Sequence, residues 1–185
     1  MSESMLGLWD GVWSAPFNPG TRCDLPPYTT RDETTYRAAA EWLDAVCDRV
    51  EDWGCGDAYA KRFFTRATYR GVDGSRGPAD VIADLQGYRS DTDGILLRHV
   101  LEHNRNWRIV LDNALRSAWK RVAIVLFTPF SETTRELFVG RGIPDIGFSR
   151  DDLYAALAGW SVAETAHATE LTVYGAETVL YAEKM

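Results

Sequence analysis

The sequence predicts an α/β fold: a mostly parallel sheet, doubly wound by helices, that ends in an antiparallel C-terminal edge hairpin. From Arg49 onward, short apolar runs alternate with stretches of helical period, as in parallel strands joined by crossovers. The run Val122-Ala-Ile-Val-Leu-Phe127 is apolar throughout, as expected of a strand covered on both faces. Two last strand candidates, 161–169 and 176–183, are separated only by a turn around Tyr174-Gly175, which makes them an antiparallel pair.

Taken in order, residues 1–33 are rich in Gly, Pro and aromatics without a sustained period, and read as an irregular arm or lid. Thr30-Arg31-Asp32-Glu33 has the form of a capping box. Behind it Tyr36, Ala39, Ala40, Leu43 and Val46 recur at helical spacing, which predicts a leading helix over 34–48. The core then spans 49–185, with strands expected at 50–53, 69–73, 81–83, 94–98 and 122–127. Helices are expected at 58–65 and at 105–118, the latter with Trp107, Val110, Leu111, Ala114 and Leu115 on one face. A further helix start is expected at Ser149, ahead of Leu153, Leu157 and Trp160. Between Asp73 and the third strand there is room only for a short turn.

All 185 residues fit one domain with a real core. Hydrophobic residues are 45% and charged residues 25%, ordinary for a globular chain. The net charge of −7 argues against a sequence-independent grip on nucleic acid, which needs clustered Lys and Arg. The first residues lack the basic start and apolar stretch of a signal peptide, and no apolar run is long enough to cross a bilayer. Cys23, Cys47 and Cys55 show no paired metal-ligand spacing. A cytoplasmic protein with reduced thiols and no bound metal is therefore expected.

The most informative stretch is Val50-Glu-Asp-Trp-Gly-Cys-Gly-Asp-Ala58, where the first strand gives way to the next element. Glycines there let the backbone turn sharply and approach a ligand that a Cβ would obstruct. Asp52 precedes them and can accept bonds from a cationic ligand. A second strand, Tyr69-Arg-Gly-Val-Asp73, ends in an acid where such folds hold ribose hydroxyls. A dinucleotide site wants a third glycine at position 59, which is Tyr59 here. That mismatch, together with Asp52, favours a ligand without a pyrophosphate.

Asp52-Trp-Gly-Cys-Gly-Asp-Ala58 resembles the first motif of class I S-adenosylmethionine-dependent methyltransferases. Asp73 is similar to that family's ribose-binding acid, and Asp84-Leu85 to the pair that contacts adenine. Leu97-Arg-His-Val-Leu-Glu-His103 resembles its fourth-strand segment. The resemblance covers 49–185. It implies a seven-stranded Rossmann-like sheet and S-adenosylmethionine as cofactor, with Asp52, Gly54, Cys55, Gly56, Ala58, Asp73, Gly74, Asp84, Leu85, Arg98 and His99 around it. Ala58 departs from the motif's third glycine, and the compressed segment after Asp73 departs from the usual helix.

In that family a methyl group passes from a sulfonium to a nucleophile, so holding two reactants in line does most of the work. A hydroxyl acceptor also benefits from a base. His99, at the end of the fourth strand, is the residue expected in that role, titrating near 6.5 if unperturbed. Its alternative role is packing beside the cofactor. Trp9, Trp13 and Tyr28 in the arm, His103, and Phe130 after the fifth strand are the residues expected to line the acceptor pocket. Asp24-Leu-Pro-Pro-Tyr28 is similar to the Asp-Pro-Pro-Tyr loop of amino-methylating DNA enzymes. Here, however, Leu25 replaces the polar residue of the four and no strand precedes the loop. The expected function is transfer to a small-molecule or sugar/glycan acceptor. The alternatives are a non-catalytic binding or assembly protein of the same fold, and a protein or nucleic-acid methyltransferase.

Overall fold

The computed structural model describes residues 33–75, 77–140 and 142–185. The expected acceptor-side residues Trp9, Trp13 and Tyr28, and all of the capping box except Glu33, lie outside the described residues. Helix α1 (Glu33–Asp44) leads into β1 (Arg49–Trp53), a 3-10 helix (Tyr59–Phe63), β2 (Thr68–Asp73), β3 (Val81–Ile82) and β4 (Thr92–Arg98). A second 3-10 helix (Leu101–His103), α2 (Trp107–Ser117) and β5 (Ala118–Leu126) follow. The chain continues through β6 (Arg135–Gly140), β7 (Ile143–Gly147), α3 (Arg150–Ala156), β8 (Trp160–Ala168) and β9 (Ala176–Lys184).

The main sheet has seven strands in the order β3-β2-β1-β4-β5-β9-β8. The first five strands run parallel, and β9 runs antiparallel to both β5 and β8. The predicted parallel sheet with an antiparallel edge is thus present. From β1 the chain steps outward to β2 and β3, then returns to β4 on β1's other side. The strand order therefore reverses between β1 and β4, the place at which open sheets of this kind bind ligands, outside the carboxyl ends of the strands.

Alternation along each strand decides which helix covers which face. Val50, Leu96, Ala123, Val125 and Val179 meet Ala39, Leu43 and Cys47 on the α1 side. Trp53, Ile95, Leu97, Val122, Ile124 and Leu126 pack toward Trp107, Val110 and Leu111 of α2 and Leu153 of α3. These strand residues are at most 1% exposed, and each large apolar side chain so buried contributes about 1.5–3 kcal/mol.

The structure corrects the helix expected over 58–65, which is only the 3-10 helix Tyr59–Phe63. The cause is Asp44 at the end of α1. Its carboxylate accepts the amides of Thr65 (3.1 Å), Arg66 (3.0 Å) and Ala67 (2.6 Å) and so draws the chain out of helical geometry. β5 begins at Ala118, directly after α2, because its exposed Trp119 and Lys120 fall outside the apolar run. A two-stranded sheet of β6 and β7 occupies a segment the sequence left unassigned. The expected helix start at Ser149 is present, its side chain accepting the Asp152 amide.

Burial raises the Asp44 carboxyl, but the bonds from Ala67, Thr65 and Arg66 outweigh it and hold the group below its ordinary value. Its contribution to stability is therefore complete at neutral pH and is lost as pH falls below about 4. Asp44→Ala should cost about 1–3 kcal/mol in urea unfolding at pH 7. The loss should shrink toward pH 3, where the parent protonates the same group.

Candidate functional site

The turn after β1 is built from backbone bonds to β2. The amides of Gly54 and Cys55 donate to the Val72 carbonyl at 2.7 and 3.2 Å. Gly54 has a φ of 77°, and a Cβ there would stand 2.5 Å from Val100 Cγ2. The need for glycine at Gly54 is thus an approach to the loop after β4, not only to a ligand. Gly56 differs. Its φ is 55°, and a Cβ there would meet nothing within 4 Å. Its amide donates to Asp73 Oδ2 at 2.9 Å.

Cys55 reaches the turn through its backbone, while its thiol is buried against Gly71 and pushed well up by burial. Ala58 also has a left-handed backbone, with φ 57°, where the resemblance calls for glycine. For an L-residue that conformation costs about 1–2 kcal/mol.

Acids line the same rim. Asp73 is 4% exposed and also accepts the amide and hydroxyl of Ser75 at 2.8 and 2.6 Å. Asp52 is equally buried and accepts the Tyr69 hydroxyl at 2.7 Å. Burial pushes its carboxyl up to about 7, with the Tyr69 bond opposing and the charge of Asp73 adding to the rise. Gly74 follows Asp73, half-buried. Asp84 is exposed and folds back on the Gln86 amide at 2.9 Å, while Leu85 packs on the α2-side core. Gly56, Asp73 and the Asp84-Leu85 pair thus follow the ends of β1, β2 and β3 in the expected order.

The β4 end differs from expectation. Arg98 shares the α1 face with Leu96. It stacks its guanidinium 3.8 Å from the Tyr36 ring centroid and donates to Glu177 Oε1 at 2.7 Å. Its charge is committed to α1 and β9 rather than presented to a ligand. His99 has a φ of 55° and places Nε2 2.9 Å from the same Glu177 oxygen, off line for a hydrogen bond. Burial first, then the Arg98 charge, lower its pKa to about 4, against the opposing pull of Glu177. The expected titration of a His99 base near 6.5 is therefore corrected: the ring is neutral throughout the physiological range and a weak base.

The neighbouring rim is aromatic. Phe127, just past β5, has its ring centroid 4.9 Å from that of His99 and 5.2 Å from that of His103. Tyr174, in the β8–β9 turn, lies 6.0 Å beyond Phe127. Phe130 is instead packed 4.1 Å beneath the Arg150 guanidinium at α3, so Phe127 is the ring that borders both histidines. Trp53 is core. Glu102 is fully buried and accepts the Phe127 amide at 2.7 Å. Its Oε2 has no hydrogen-bond partner among the described residues, and burial pushes its carboxyl up to about 8.

Sequence reasoning missed Glu177, Phe127, Asp145 and Tyr174. For Phe127 the signal was its place at the end of β5. For Glu177 it was a charge on the strand face otherwise occupied by Val179 and Tyr181. Among the described residues no cluster of His, Cys, Asp or Glu could hold a metal, and no helix is long and apolar enough to cross a membrane.

By sequence, the chain matches no family model and no curated protein. Its likeness is to solved structures. Magnesium protoporphyrin IX methyltransferase (ChlM) from Synechocystis PCC 6803, with bound SAH, superposes with a TM-score of 0.63 at 18% identity, over 83% of each chain. The 1,6-didemethyltoxoflavin-N1-methyltransferase from Burkholderia thailandensis, bound to 1,6-didemethyltoxoflavin and S-adenosylhomocysteine, gives 0.64 at 17% identity, over 83% of this chain and 80% of that one. The N-terminal domain of EvdMO1, in the presence of SAH and D-fucose, gives 0.58 at 11% identity, over 100% of this chain and 97% of that one. The chain therefore has the class I methyltransferase fold.

Glu102 supplies a test of these electrostatics. Its carboxyl holds a proton in the folded protein at pH values where the unfolded chain has lost it. Stability should therefore fall as pH rises from about 4.5 to 8. Glu102→Gln keeps the shape and removes that dependence, so the variant should gain on the parent at pH 9 in thermal unfolding.

Proposed function

We propose that the chain is an S-adenosylmethionine-dependent methyltransferase acting on a small-molecule or sugar acceptor. The observation that carries this reading is the cradle at Gly56. There a backbone turn has open space where a Cβ would project, its amide is anchored on Asp73, and the acid Asp52 closes the preceding strand. These residues fit the group. Gly56 leaves room for its amino-acid portion, and Asp52 offers a charge to its amine. Asp73 can accept from ribose hydroxyls, and Asp84 and Leu85 stand where an adenine edge belongs. When bound, the donor supplies an activated methyl group. The chain's own contribution is then orientation, which can supply on the order of 7–11 kcal/mol of the barrier.

The 1,6-didemethyltoxoflavin bound in one neighbouring structure supports the small-acceptor part of the reading. The aromatic rim of Phe127 and Tyr174, beside the largely buried rings of His99 and His103, suits a ring-shaped acceptor. A non-catalytic protein of the same fold would share every binding result below. It would form no S-adenosylhomocysteine with any acceptor.

Gly56→Val meets no neighbour, but the φ of 55° strains any side chain, so the variant should lose about 1–2 kcal/mol of stability yet keep its fold while the cradle fills. Calorimetry should show affinity for S-adenosylhomocysteine reduced by at least about tenfold, with circular dichroism unchanged. Asp73→Ala should have a comparable effect, because charge-assisted bonds of about 1.5–3 kcal/mol are lost.

Asp52 adds a pH dependence. A cationic amine favours the charged carboxylate, so affinity should rise with pH through about 7. Asp52→Asn should flatten that rise. Undiminished affinity in folded Gly56→Val would remove the cradle from the ligand site.

A further inference from the structure

We propose that the acceptor is an aromatic ring compound with an apolar substituent, the ring seated against Phe127 and Tyr174 and the substituent lying outward over Phe138 of the β6–β7 hairpin. The inference rests on the methyltransferase reading and deepens it, because it names the acceptor class of the same site.

The surface starts beside the donor turn. Val100, the side chain that a Cβ at Gly54 would meet, opens the short loop after β4. Two residues on, Glu102 accepts the Phe127 amide at 2.7 Å and so fixes the end of β5 to that loop. The Phe127 ring is partly exposed, and the partly exposed Tyr174 ring follows it at 6.0 Å between centroids. The Tyr174 hydroxyl donates to Asp145 Oδ2 of β7 at 3.3 Å, and Asp145 pairs across the hairpin with Phe138. Residues paired in this way share a face of the ribbon, with Cβ atoms about 4.5–5.5 Å apart. Phe138 is therefore the next ring outward from Tyr174.

Phe138 is 48% exposed, and a Cβ at Gly140 would stand 2.9 Å from its Cε1, so the ring lies over Gly140 along β6. The β8–β9 turn that carries Tyr174 also exposes Leu171, and Val173 to 63%. Exposed apolar side chains are ordinary when scattered. These instead fall on two hairpins joined through Tyr174 and Asp145, in continuation of a ring at the carboxyl end of β5, and contiguous apolar surface of that kind marks a binding face.

The polar groups on this path decide the class of occupant. The Tyr174 hydroxyl is engaged by Asp145, whose other oxygen stands 3.5 Å from His103 Nδ1. The Phe127 amide is turned inward to Glu102. A free sugar carries hydroxyls around its whole rim, and covering them without partners is costly. An aromatic ring and an apolar chain lose nothing there, and they gain from every ring they cover. Phe138 is then a specificity-determining residue: it touches the acceptor's substituent and no reacting atom.

The test uses the parent protein saturated with S-adenosylhomocysteine and titrated by calorimetry with phenol, 4-ethylphenol, 4-butylphenol and 4-hexylphenol, with D-glucose as the counter-probe. Affinity should rise about two- to fourfold for each added CH2. Phe138→Ser should weaken 4-hexylphenol by about tenfold and phenol by less than about twofold. Val173→Ser, the milder change, should reduce the same chain-length dependence. Met185→Ser, an equally exposed apolar position at the far end of β9, should leave the series unchanged. An affinity indifferent to chain length, a Phe138→Ser variant that binds 4-hexylphenol as the parent does, no binding of any phenol at millimolar concentration, or tighter binding of D-glucose than of phenol would each overturn the proposal alone. Failure of the parent to bind S-adenosylhomocysteine would overturn the methyltransferase reading, and this acceptor class with it.

Discussion

Glu177 sits on β9 at 2% exposure, and its carboxylate joins elements that no local rule brings together. It accepts from Arg98 at the end of β4 and from the Thr35 hydroxyl of α1, with the His99 ring against it. Burial raises the carboxyl, but the Arg98 guanidinium and the Thr35 hydroxyl oppose that rise, and the group stays below its ordinary value. A buried pair of this kind adds little net stability over a well-packed apolar pair, yet stranding one partner costs about 3–5 kcal/mol. Its worth is therefore geometric. It fixes α1 against the strand ends, with Tyr36 stacked on the Arg98 guanidinium, so that the loop after β4 leaves the sheet at one angle.

Around that anchor, the free site holds little charge for its number of ionisable groups. Burial keeps the Asp52 and Glu102 carboxyls at about 7 and 8 and the His99 ring at about 4, so near pH 7 Glu102 and His99 are mostly neutral and Asp52 is half so. The cost of desolvating a full set of charges is avoided by protonation state rather than by pairing. A cationic ligand changes that balance at Asp52, next to the turn it would occupy. Glu102 lies away from that turn, and it keeps its proton while holding the Phe127 amide in place. Environment thus gives two acids of the same rim different responses to one ligand.

The sheet could be read from the sequence because its strands are buried on both faces, and an unbroken apolar run as short as 122–127 fits a covered strand better than a helix with one wet face. The β6–β7 hairpin gave no such signal. In β6 only Leu137 and Gly140 are partly covered, with Phe138 and Val139 facing outward, so the strand shows no alternation. The helix expected over 58–65 failed for a different reason: Asp44 captures the backbone amides at its far end, and nothing in residues 58–65 announces that. The turn after β1 was readable because its left-handed backbone at Gly54 and Gly56 favours glycine. The role of Glu177 was not, since its partners are 79 and 142 residues away in the chain.

Magnitudes decide what this architecture must preserve. A well-placed base is worth about 10²–10⁴-fold, or roughly 3–5 kcal/mol. Orientation of the reactants can supply more, about 7–11 kcal/mol, and a displacement of 1 Å can cost about 10²-fold. On the proposed function, the turn that would hold the donor and the aromatic rim meet at one short loop. Val100 touches Gly54 of the donor cradle, His99 before it leans on Glu177, and His103 after it faces Asp145. A shift of α1 at the Glu177 anchor would therefore move the cradle and the acceptor rim relative to each other. The hairpin, packed through β7 against the turn that carries His103, constrains the same loop from the other side. Glu177 and Asp145 thus act on that loop from opposite sides, and each limits how far it can move.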